Sequence, residues 1–193
     1  MAQLQIDRDD LQQALETLKN GGLILYPTDT IWGIGCDATN PDAVEKIFAL
    51  KGREKGKSMV VLLHNDYQLA GYVQDVPDVA YELIEVSDRP LTIVFDGAKN
   101  LAENVLASDG SIGIRIVNHP FCQQLLQRFK RPLVSTSANL SGEPSAATFD
   151  EIDDEIKEGV DYIVKFGQGN QEKGRPSVIM KLGSGGKFEF LRK

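Results

Sequence analysis

The stretch that decides the fold reads P-L-V-S-T-S-A-N-L-S-G-E-P-S and covers residues 132–145. Its first three residues are typical of a short buried strand, and small hydroxyl and amide side chains follow at once. These side chains do not suit a core element, because each carries donors and acceptors that need partners. Gly142 and Pro144 keep the segment out of helix and strand. Composition alone favours an ordinary polar turn. The alternative is a loop that presents hydroxyl and N–H groups to an anionic ligand.

Strands and helices alternate on both sides of this stretch. Asp7 or Asp9 is expected to cap a first helix that ends at Asn20, Asn40 to cap a second, and Thr148 to cap a last helix that runs to Lys157. Further helices are predicted over residues 77–86 and 118–129. Strands are predicted over residues 23–26, 58–63, 91–95, 111–117, 132–135, 162–166, 177–182 and 187–191.

This alternation predicts an α/β fold: a single domain over residues 1–193, with a twisted mixed parallel and antiparallel sheet flanked by helices. The antiparallel part follows from a predicted hairpin turn at residues 183–186. The strands that end after Tyr26, Val117 and Val134 all lead into polar loops. Because ligands of open α/β sheets bind at strand ends, we expect a site there.

Composition narrows the class of protein. The 193 residues are 41% hydrophobic and 25% charged, and the net charge is −7. Those values are typical of a soluble globular protein. The negative net charge argues against a protein that binds nucleic acid or membrane surfaces non-specifically, because such binding needs basic charge. Residues 1–10 lack the apolar region of a signal peptide, and no later run has the length of a membrane span. Cys36 and Cys122 lie far apart, which favours free buried thiols, and we expect a cytoplasmic location.

Two nucleotide-binding motifs can be rejected. Residues 52–58 (G-R-E-K-G-K-S) have three residues between the glycines where a P-loop has four, and they follow a helix instead of a strand. Residues 33–38 resemble a dinucleotide fingerprint, but the next helix begins only after Asn40 and Pro41. Residues 51–57 still carry four cations and one anion. Taken alone, this cluster favours a solvated helix end whose cations complement the helix dipole. The alternative is that these cations bind the phosphate groups of a polyphosphate ligand.

Isolated polar residues are less informative. Arg115 lies on the polar face of its predicted half-buried strand, either as a surface arginine or as a cation that faces the same cleft. His64 and His119 lack the spacing of metal ligands, so structural roles are expected. Trp32 and Tyr26 are predicted to pack in the core, and Tyr26 could also line a pocket.

Five blocks in order resemble the YrdC/Sua5 family and cover nearly the whole chain. They are Y-P-T-D-T-I-W-G-I-G-C-D-A (residues 26–38), K-G-R (51–53), S-I-G-I-R-I (111–116), S-T-S-A-N-L-S-G (135–142) and the terminal L-R (191–192). The family pattern K-x-R followed downstream by S-x-N corresponds to Lys51, Arg53, Ser137 and Asn139. The chain ends soon after Arg192 and so is similar to the short single-domain members that lack the C-terminal Sua5 domain.

The resemblance implies a nucleotidyltransferase, L-threonylcarbamoyladenylate synthase. Its substrates would be L-threonine, bicarbonate and ATP, with Mg²⁺ arriving with ATP, and its product would serve the threonylcarbamoyladenosine (t6A) modification of tRNA. Lys51 and Arg53 are implied as catalytic residues. Implied ATP contacts are Lys51, Arg53, Lys57, Ser111, Ser137, Asn139, Ser145 and Arg192. Implied threonine contacts are Thr30, Arg115, Ser135 and Ser177.

The sequence also departs from the family pattern. Glu54 stands where many members have proline, and Leu62 stands where longer members have a histidine that contacts threonine. The resemblance further implies a downstream threonylcarbamoyl transferase complex as partner, and it leaves weak binding of tRNA or double-stranded RNA open. Two alternatives remain at this point: a double-stranded RNA-binding, translation-associated factor, and a nucleotide-binding paralogue that adenylates another carbamate. Net charge and one basic cluster make a phosphate-only RNA interface weak.

Overall fold

A computed structural model describes residues 5–54, 59–183 and 188–192. The helices in these ranges are α1 (Arg8–Lys19), α2 (Pro41–Lys51), α3 (Leu69–Tyr72), α4 (Asp78–Val86), α5 (Pro120–Phe129) and α6 (Asp154–Glu158). The strands are β1 (Ile24–Tyr26), β2 (Gly33–Gly35), β3 (Val60–Leu63), β4 (Leu91–Phe95), β5 (Ile112–Ile116), β6 (Leu133–Ser137), β7 (Tyr162–Ile163), β8 (Val178–Leu182) and β9 (Phe188–Arg192). Within the described ranges, every helix is too short or too polar to cross a membrane.

The nine strands of the described ranges form one sheet in the order β7-β1-β2-β6-β3-β5-β4-β8-β9. The pairs β1–β7, β3–β5 and β4–β8 are parallel, and the other neighbours are antiparallel. The predicted α/β class with a mixed sheet flanked by helices is therefore confirmed. β8 and β9 form the predicted antiparallel pair, while residues 184–186 of their predicted turn lie outside the described residues.

Local capping explains where the first helices begin. The Asp7 carboxylate accepts a hydrogen bond from the N–H of Asp9, and the Asn40 side chain accepts from Asp42 and Ala43. These bonds satisfy N–H groups that have no partner inside a helix. α2 ends where Gly52 adopts a left-handed backbone with φ of 57°. Both predicted caps are confirmed.

Two apolar clusters cover the faces of the sheet. One face packs with α2 and the surrounding loops around a core that includes Ile34, Val61, Ile114 and Met180. The other face packs against α1 and α5 through Ile24, Tyr26, Leu62, Val117 and Leu133. The strand registers place Ser135 opposite Val60, and Leu62 opposite both Leu133 and Arg115. Because side chains alternate along a strand, Ser135 and Arg115 lie on the same face as the α1 and α5 cluster, beyond its apolar part.

β2 was not predicted from the sequence. Its residues Gly33-Ile34-Gly35 give one apolar side chain between two glycines, so no alternating pattern is visible. The glycines have a packing reason: a Cβ on Gly35 would lie 2.6 Å from Cε1 of the Tyr26 ring across the β1–β2 pair. Gly35 therefore makes room for a buried tyrosine instead of making a turn.

Two predicted elements near the C-terminal half were wrong in extent. Thr148 does not cap a helix: it is buried, and α6 begins only after Asp153, whose carboxylate accepts from Glu155 N–H. The strand predicted over residues 162–166 ends at Ile163. The reason is Asp10, whose carboxylate accepts from the N–H groups of Lys165 and Phe166 at 3.0 and 2.9 Å, so those groups do not pair with a strand.

The three strand ends at which a site was expected do not all lie at the same end of the sheet. β5 is parallel to β3, and β3 is antiparallel to β6. The carboxyl ends of β5 and β6 therefore lie at opposite ends of the sheet, and so do Val117 and Ser137. β5 is also not half-buried: four of its five residues are buried, including Arg115. The residues that come together do so over one face of the sheet.

Candidate active site

A cavity of about 240 Å³ lies over the polar part of this face. Its floor comes from β3, β5 and β6, and its walls come from the loop after β1, the segment before β8 and the end of β9. Small residues keep the floor open: a Cβ on Gly33 would lie 3.2 Å from Ser135 Oγ. The lining residues are Thr30, Ile31, Trp32, Gly33, Arg53, Met59, Val60, Arg115, Ser135, Thr136, Ser137, Ser145, Pro176, Ser177, Ile179 and Arg192.

The charge of this lining is one-sided. Arg53, Arg115 and Arg192 contribute three guanidinium groups, and no carboxylate is among the described lining residues. In a chain of net charge −7, such a concentration of cations favours a ligand with more than one anionic group. Burial lowers the pKa of Arg53 and of Arg192 below the ordinary value of an arginine, because it disfavours the charged form.

Arg115 is held from behind by an aspartate. Its Nη2 lies 3.3 Å from Asp29 Oδ1, and the other Asp29 oxygen accepts from the N–H of Asn118 at 3.0 Å. The loop after β1 therefore folds back across the sheet to reach the start of α5. Arg115 Nε is buried without a hydrogen-bond partner in the part of the chain that the structure describes. A planar anion in the cavity would supply that partner.

Hydroxyl groups surround the guanidinium groups. Thr30 Oγ1 lies 2.9 Å from Thr28 Oγ1. Ser177 Oγ lies 2.9 Å from Thr92 Oγ1, and Arg192 donates to the hydroxyl and the carbonyl oxygen of Ser177 at 3.2 and 2.9 Å. Each of these hydroxyls has a fixed neighbour, so it is oriented before any ligand binds.

Lys51 lies beside the cavity instead of in its wall. The residue is 2% exposed, and its Nζ donates to the backbone carbonyl oxygens of Ser137 and Asn139. Burial, followed by the neighbouring charge of Arg53, lowers the pKa of Lys51 to about 8. The lysine therefore holds the backbone at the end of β6 and in the loop after it.

That loop is also tied by Asn139. The side-chain amide donates to the carbonyl oxygens of Leu140 and Glu143, both at 2.8 Å. The N–H of Ser141 donates to the Lys51 carbonyl oxygen at 2.9 Å. The Asn139 amide nitrogen and the Ser141 N–H thus tie the polar stretch after β6 to specific carbonyl oxygens.

The structure does not bring every predicted site residue to the cavity. Thr30, Arg53, Arg115, Ser135, Ser137, Ser145, Ser177 and Arg192 line it, and Lys51 and Asn139 support it. Ser111 lies outside the lining: its hydroxyl donates to Asp109 at 2.6 Å and holds the pKa of that carboxyl down to about 2. Lys57 falls outside the described residues. The ligand roles of all these residues remain predictions.

Sequence reasoning missed other members of the site. Asp29 and Thr92 contact predicted residues across the fold, at sequence distances where no periodic pattern connects them. The apolar part of the lining was also missed. The sequence predicted only that these residues lie in strands or at strand ends; they are Met59, Val60, Pro176 and Ile179. Trp32, predicted to be a packing residue, is buried against Phe149 and also lines the cavity.

A larger cavity of about 880 Å³ lies on the other side of residues 30–32, which line both. Its charged side chains are of both signs: Asp29, Glu172 and Lys173. His119 also lines it, and burial lowers the pKa of this histidine. A wall of mixed charge does not select an anion, and we place the candidate active site in the smaller cavity. Among the described residues, no group of three histidine, cysteine or acidic side chains could hold a metal ion.

Comparisons with known proteins identify the family of this chain. The model of the family of Sua5, YciO and YrdC proteins, described as "Telomere recombination", matches residues 16–193. A threonylcarbamoyl-AMP synthase of Photobacterium profundum is 35% identical over 85% of this chain and 90% of its own length. One of Pseudoalteromonas translucida is 34% identical over 94% of this chain and 98% of its own length.

Solved structures share the fold. E. coli YciO superposes with a TM-score of 0.83 at 26% identity, over 97% of this chain and 90% of that one. P. abyssi Sua5 complexed with L-threonine superposes with a TM-score of 0.86 at 23% identity. The match covers 97% of this chain but spans only 55% of the P. abyssi chain. The chain belongs to the Sua5/YciO/YrdC family.

Proposed function

We propose that this protein is a threonylcarbamoyl-AMP synthase that converts L-threonine, bicarbonate and ATP into threonylcarbamoyl-AMP and pyrophosphate. The observation that carries the proposal is the 240 Å³ cavity with three arginines, several oriented hydroxyls and no described carboxylate. The carbamate of threonine and ATP are both anions, and they must be held close together for the reaction, which is the task that such a lining suits. Curated relatives that match most of this chain carry the name of this enzyme.

The reaction needs no nucleophile from the protein. The threonine amine combines with bicarbonate to give a carbamate and water. A carbamate oxygen then attacks the α-phosphorus of ATP, the bond from that phosphorus to the bridging oxygen breaks, and pyrophosphate leaves. The protein must hold the two anions in line and stabilise the charge that develops.

Each part of the cavity has a task in this scheme. Arg115 pairs with the threonine carboxylate, for which its oriented guanidinium and its unpaired Nε suit a bidentate contact. Thr30, Ser135 and Ser177 read the threonine hydroxyl and amine. Arg53 and Arg192, with the Ser137 and Ser145 hydroxyls, hold the phosphates. P. abyssi Sua5, which shares this fold, forms a complex with L-threonine, and that complex supports the amino-acid part of the assignment.

Mg²⁺ enters the proposal only as the partner of ATP. The described residues offer arginines and hydroxyls to the phosphates but no cluster of metal ligands, so the phosphate oxygens and water would hold the ion. The Mg²⁺ would neutralise part of the charge on the leaving pyrophosphate. The use of the product by a downstream threonylcarbamoyl transferase complex, for the t6A modification of tRNA, is part of the same proposal.

Arg53 provides the test. Because it is one electrostatic donor to the phosphates, Arg53→Ala should lose about 2–4 kcal/mol of transition-state stabilisation. Pyrophosphate release would be measured with ATP, threonine and bicarbonate and without RNA. Arg128→Ala, an exposed arginine on α5, serves as the matched control and should keep the wild-type rate. A wild-type rate for Arg53→Ala, or an absolute need for RNA, would contradict the proposal.

A further inference from the structure

Lys51 is connected to the last residue of β6 and to the loop after it at three points. Its ammonium group donates to the carbonyl oxygens of Ser137 and Asn139, and its own carbonyl oxygen accepts from the N–H of Ser141. These partners alternate along the loop. One residue at the end of α2 therefore fixes the path of residues 137–141.

The end of α2 makes this arrangement possible. Gly52 turns the chain with a φ of 57°, and its N–H bonds back to Ala49 and Phe48. The carbonyl oxygen of the last helical residue has no partner inside the helix and is available to another segment. In this fold that segment is the loop after β6, so both the side chain and the backbone of Lys51 serve it.

The position of the ammonium group is unfavourable for a direct contact with a ligand. Lys51 is 2% exposed and does not belong to the lining of the 240 Å³ cavity, whereas Arg53, two residues later, does. Two of the three N–H bonds of its ammonium group point to backbone oxygens. Ser137, whose carbonyl oxygen Lys51 holds, does line the cavity.

We propose that Lys51 is a positioning residue that shapes residues 137–141 so that Ser137 faces the phosphates, and that Lys51 does not itself contact the nucleotide. This inference rests on the proposed function for the identity of the nucleotide, but the loop geometry it describes does not depend on catalysis. The sequence-based expectation was that Lys51 is a catalytic residue that contacts ATP. In this proposal Lys51 acts indirectly, through Ser137 and the loop that it orders.

Hydrogen exchange of the ATP-free protein tests the structural part. Lys51→Met should raise the exchange rate of the amides in residues 137–143 at least tenfold, because the carbonyl oxygens that order the loop lose their donor. Lys46→Met is the matched control. Lys46 lies on the same helix and also donates to a backbone oxygen, that of Gly21 at 2.8 Å, but away from the cavity. It should leave that segment unchanged.

Kinetics and lysine labelling test the functional part. Lys51→Met should raise the KM for ATP at least tenfold and leave the KM for threonine within about twofold. In the wild type, acylation of Lys51 should be slow with or without ATP, while exposed Lys46 labels readily; this measurement decides the question even if the variant does not fold. Protection of Lys51 by ATP, or loss of ATP affinity with unchanged loop exchange, would show a direct contact and overturn the proposal.

Faster loop exchange with unchanged ATP kinetics would equally overturn it. Failure of the proposed function is seen separately, as a wild-type protein that releases no pyrophosphate with threonine. The exchange result stands in either case.

Discussion

The guanidinium group of Arg115 lies 3.3 Å from the carboxylate of Asp29, and the two side chains are only 5% and 7% exposed. Removal of one partner leaves an uncompensated buried charge, which costs about 3–5 kcal/mol. We expect this loss of unfolding free energy for Asp29→Asn, which keeps an acceptor for Asn118. The double variant Asp29→Asn/Arg115→Met should recover part of it. Urea unfolding would measure all three.

The exposed pair between Lys181 and Asp109 provides the control. Lys181→Met should change the unfolding free energy far less than Asp29→Asn does, because water screens this pair. If Asp29→Asn costs no more than Lys181→Met, Asp29 does not hold Arg115 in place.

Gly174 lies against the backbone of Thr30. A Cβ at position 174 would lie 1.8 Å from the Thr30 carbonyl oxygen, so Gly174→Ala must displace one of the two segments. Since Thr30 lines the cavity, the KM for threonine should rise at least tenfold. Gly169→Ala is the control, because a Cβ there meets nothing within 4 Å. Equal threonine kinetics for the two variants would show that this contact does not shape the site.

Burial of two thiols predicts a loss of stability at alkaline pH. Burial raises the pKa of Cys36 and of Cys122 well above the ordinary 9.0. Above pH 9 the unfolded chain releases these protons and the folded chain keeps them, so the unfolding free energy falls by about 1.4 kcal/mol per pH unit for each thiol. Urea unfolding between pH 8.5 and 10 should show a shallower fall for Cys36→Ala and for Cys122→Ala than for the wild type.

Lys51 contributes with the opposite sign over the same interval. Its pKa is lowered to about 8, so between pH 8 and 10.5 the unfolded chain binds more protons and stability rises. Lys51 contributes equally in the wild type and in each cysteine variant. Its contribution therefore cancels when the pH slopes of their unfolding free energies are compared. Identical slopes would mean that the thiols are not kept protonated by the fold.

The hydroxyls of Thr30, Ser135 and Ser177 predict the choice of amino acid. A site that hydrogen-bonds the substrate hydroxyl should reject valine strongly, because its polar groups would stay unpaired. Serine lacks only a methyl group and should lose about 1–3 kcal/mol. Leu62, at the position where the resemblance to longer family members implies a histidine, is fully buried beside Arg115 and adds no polar partner. Comparison of kcat/KM for threonine, serine and valine measures this; a valine value equal to that of threonine would favour the paralogue with another substrate.

The sequence predicted the helices whose first turn is capped by a nearby side chain. Asp7 and Asn40 cap helices within two or three residues of themselves, so their effect is visible in a short window. β2 could not be predicted because its glycines make sense only against the ring of Tyr26 in the neighbouring strand. Thr148 misled because a cap pattern does not reveal that the side chain is buried by tertiary packing.

The site was predictable to a similar depth. The hydroxyl and cationic residues were selected by type, and most of them line one cavity. The contacts that orient them were not accessible, because Asp29 reaches Arg115 across the sheet and Lys51 binds backbone oxygens, which every residue has. Residue types thus indicated the chemistry, and only the fold shows which groups touch the cavity and which support it.

The proposed function requires one cavity to join threonine, bicarbonate and ATP. The most direct test incubates the protein with ATP, Mg²⁺, threonine and ¹³C-bicarbonate, and follows the label by mass spectrometry. We predict a product that contains AMP, threonine and one ¹³C, formed in equal amount with pyrophosphate and absent when threonine is omitted or Arg115 is replaced by alanine. Pyrophosphate release without threonine, or a product without the ¹³C label, would contradict the account.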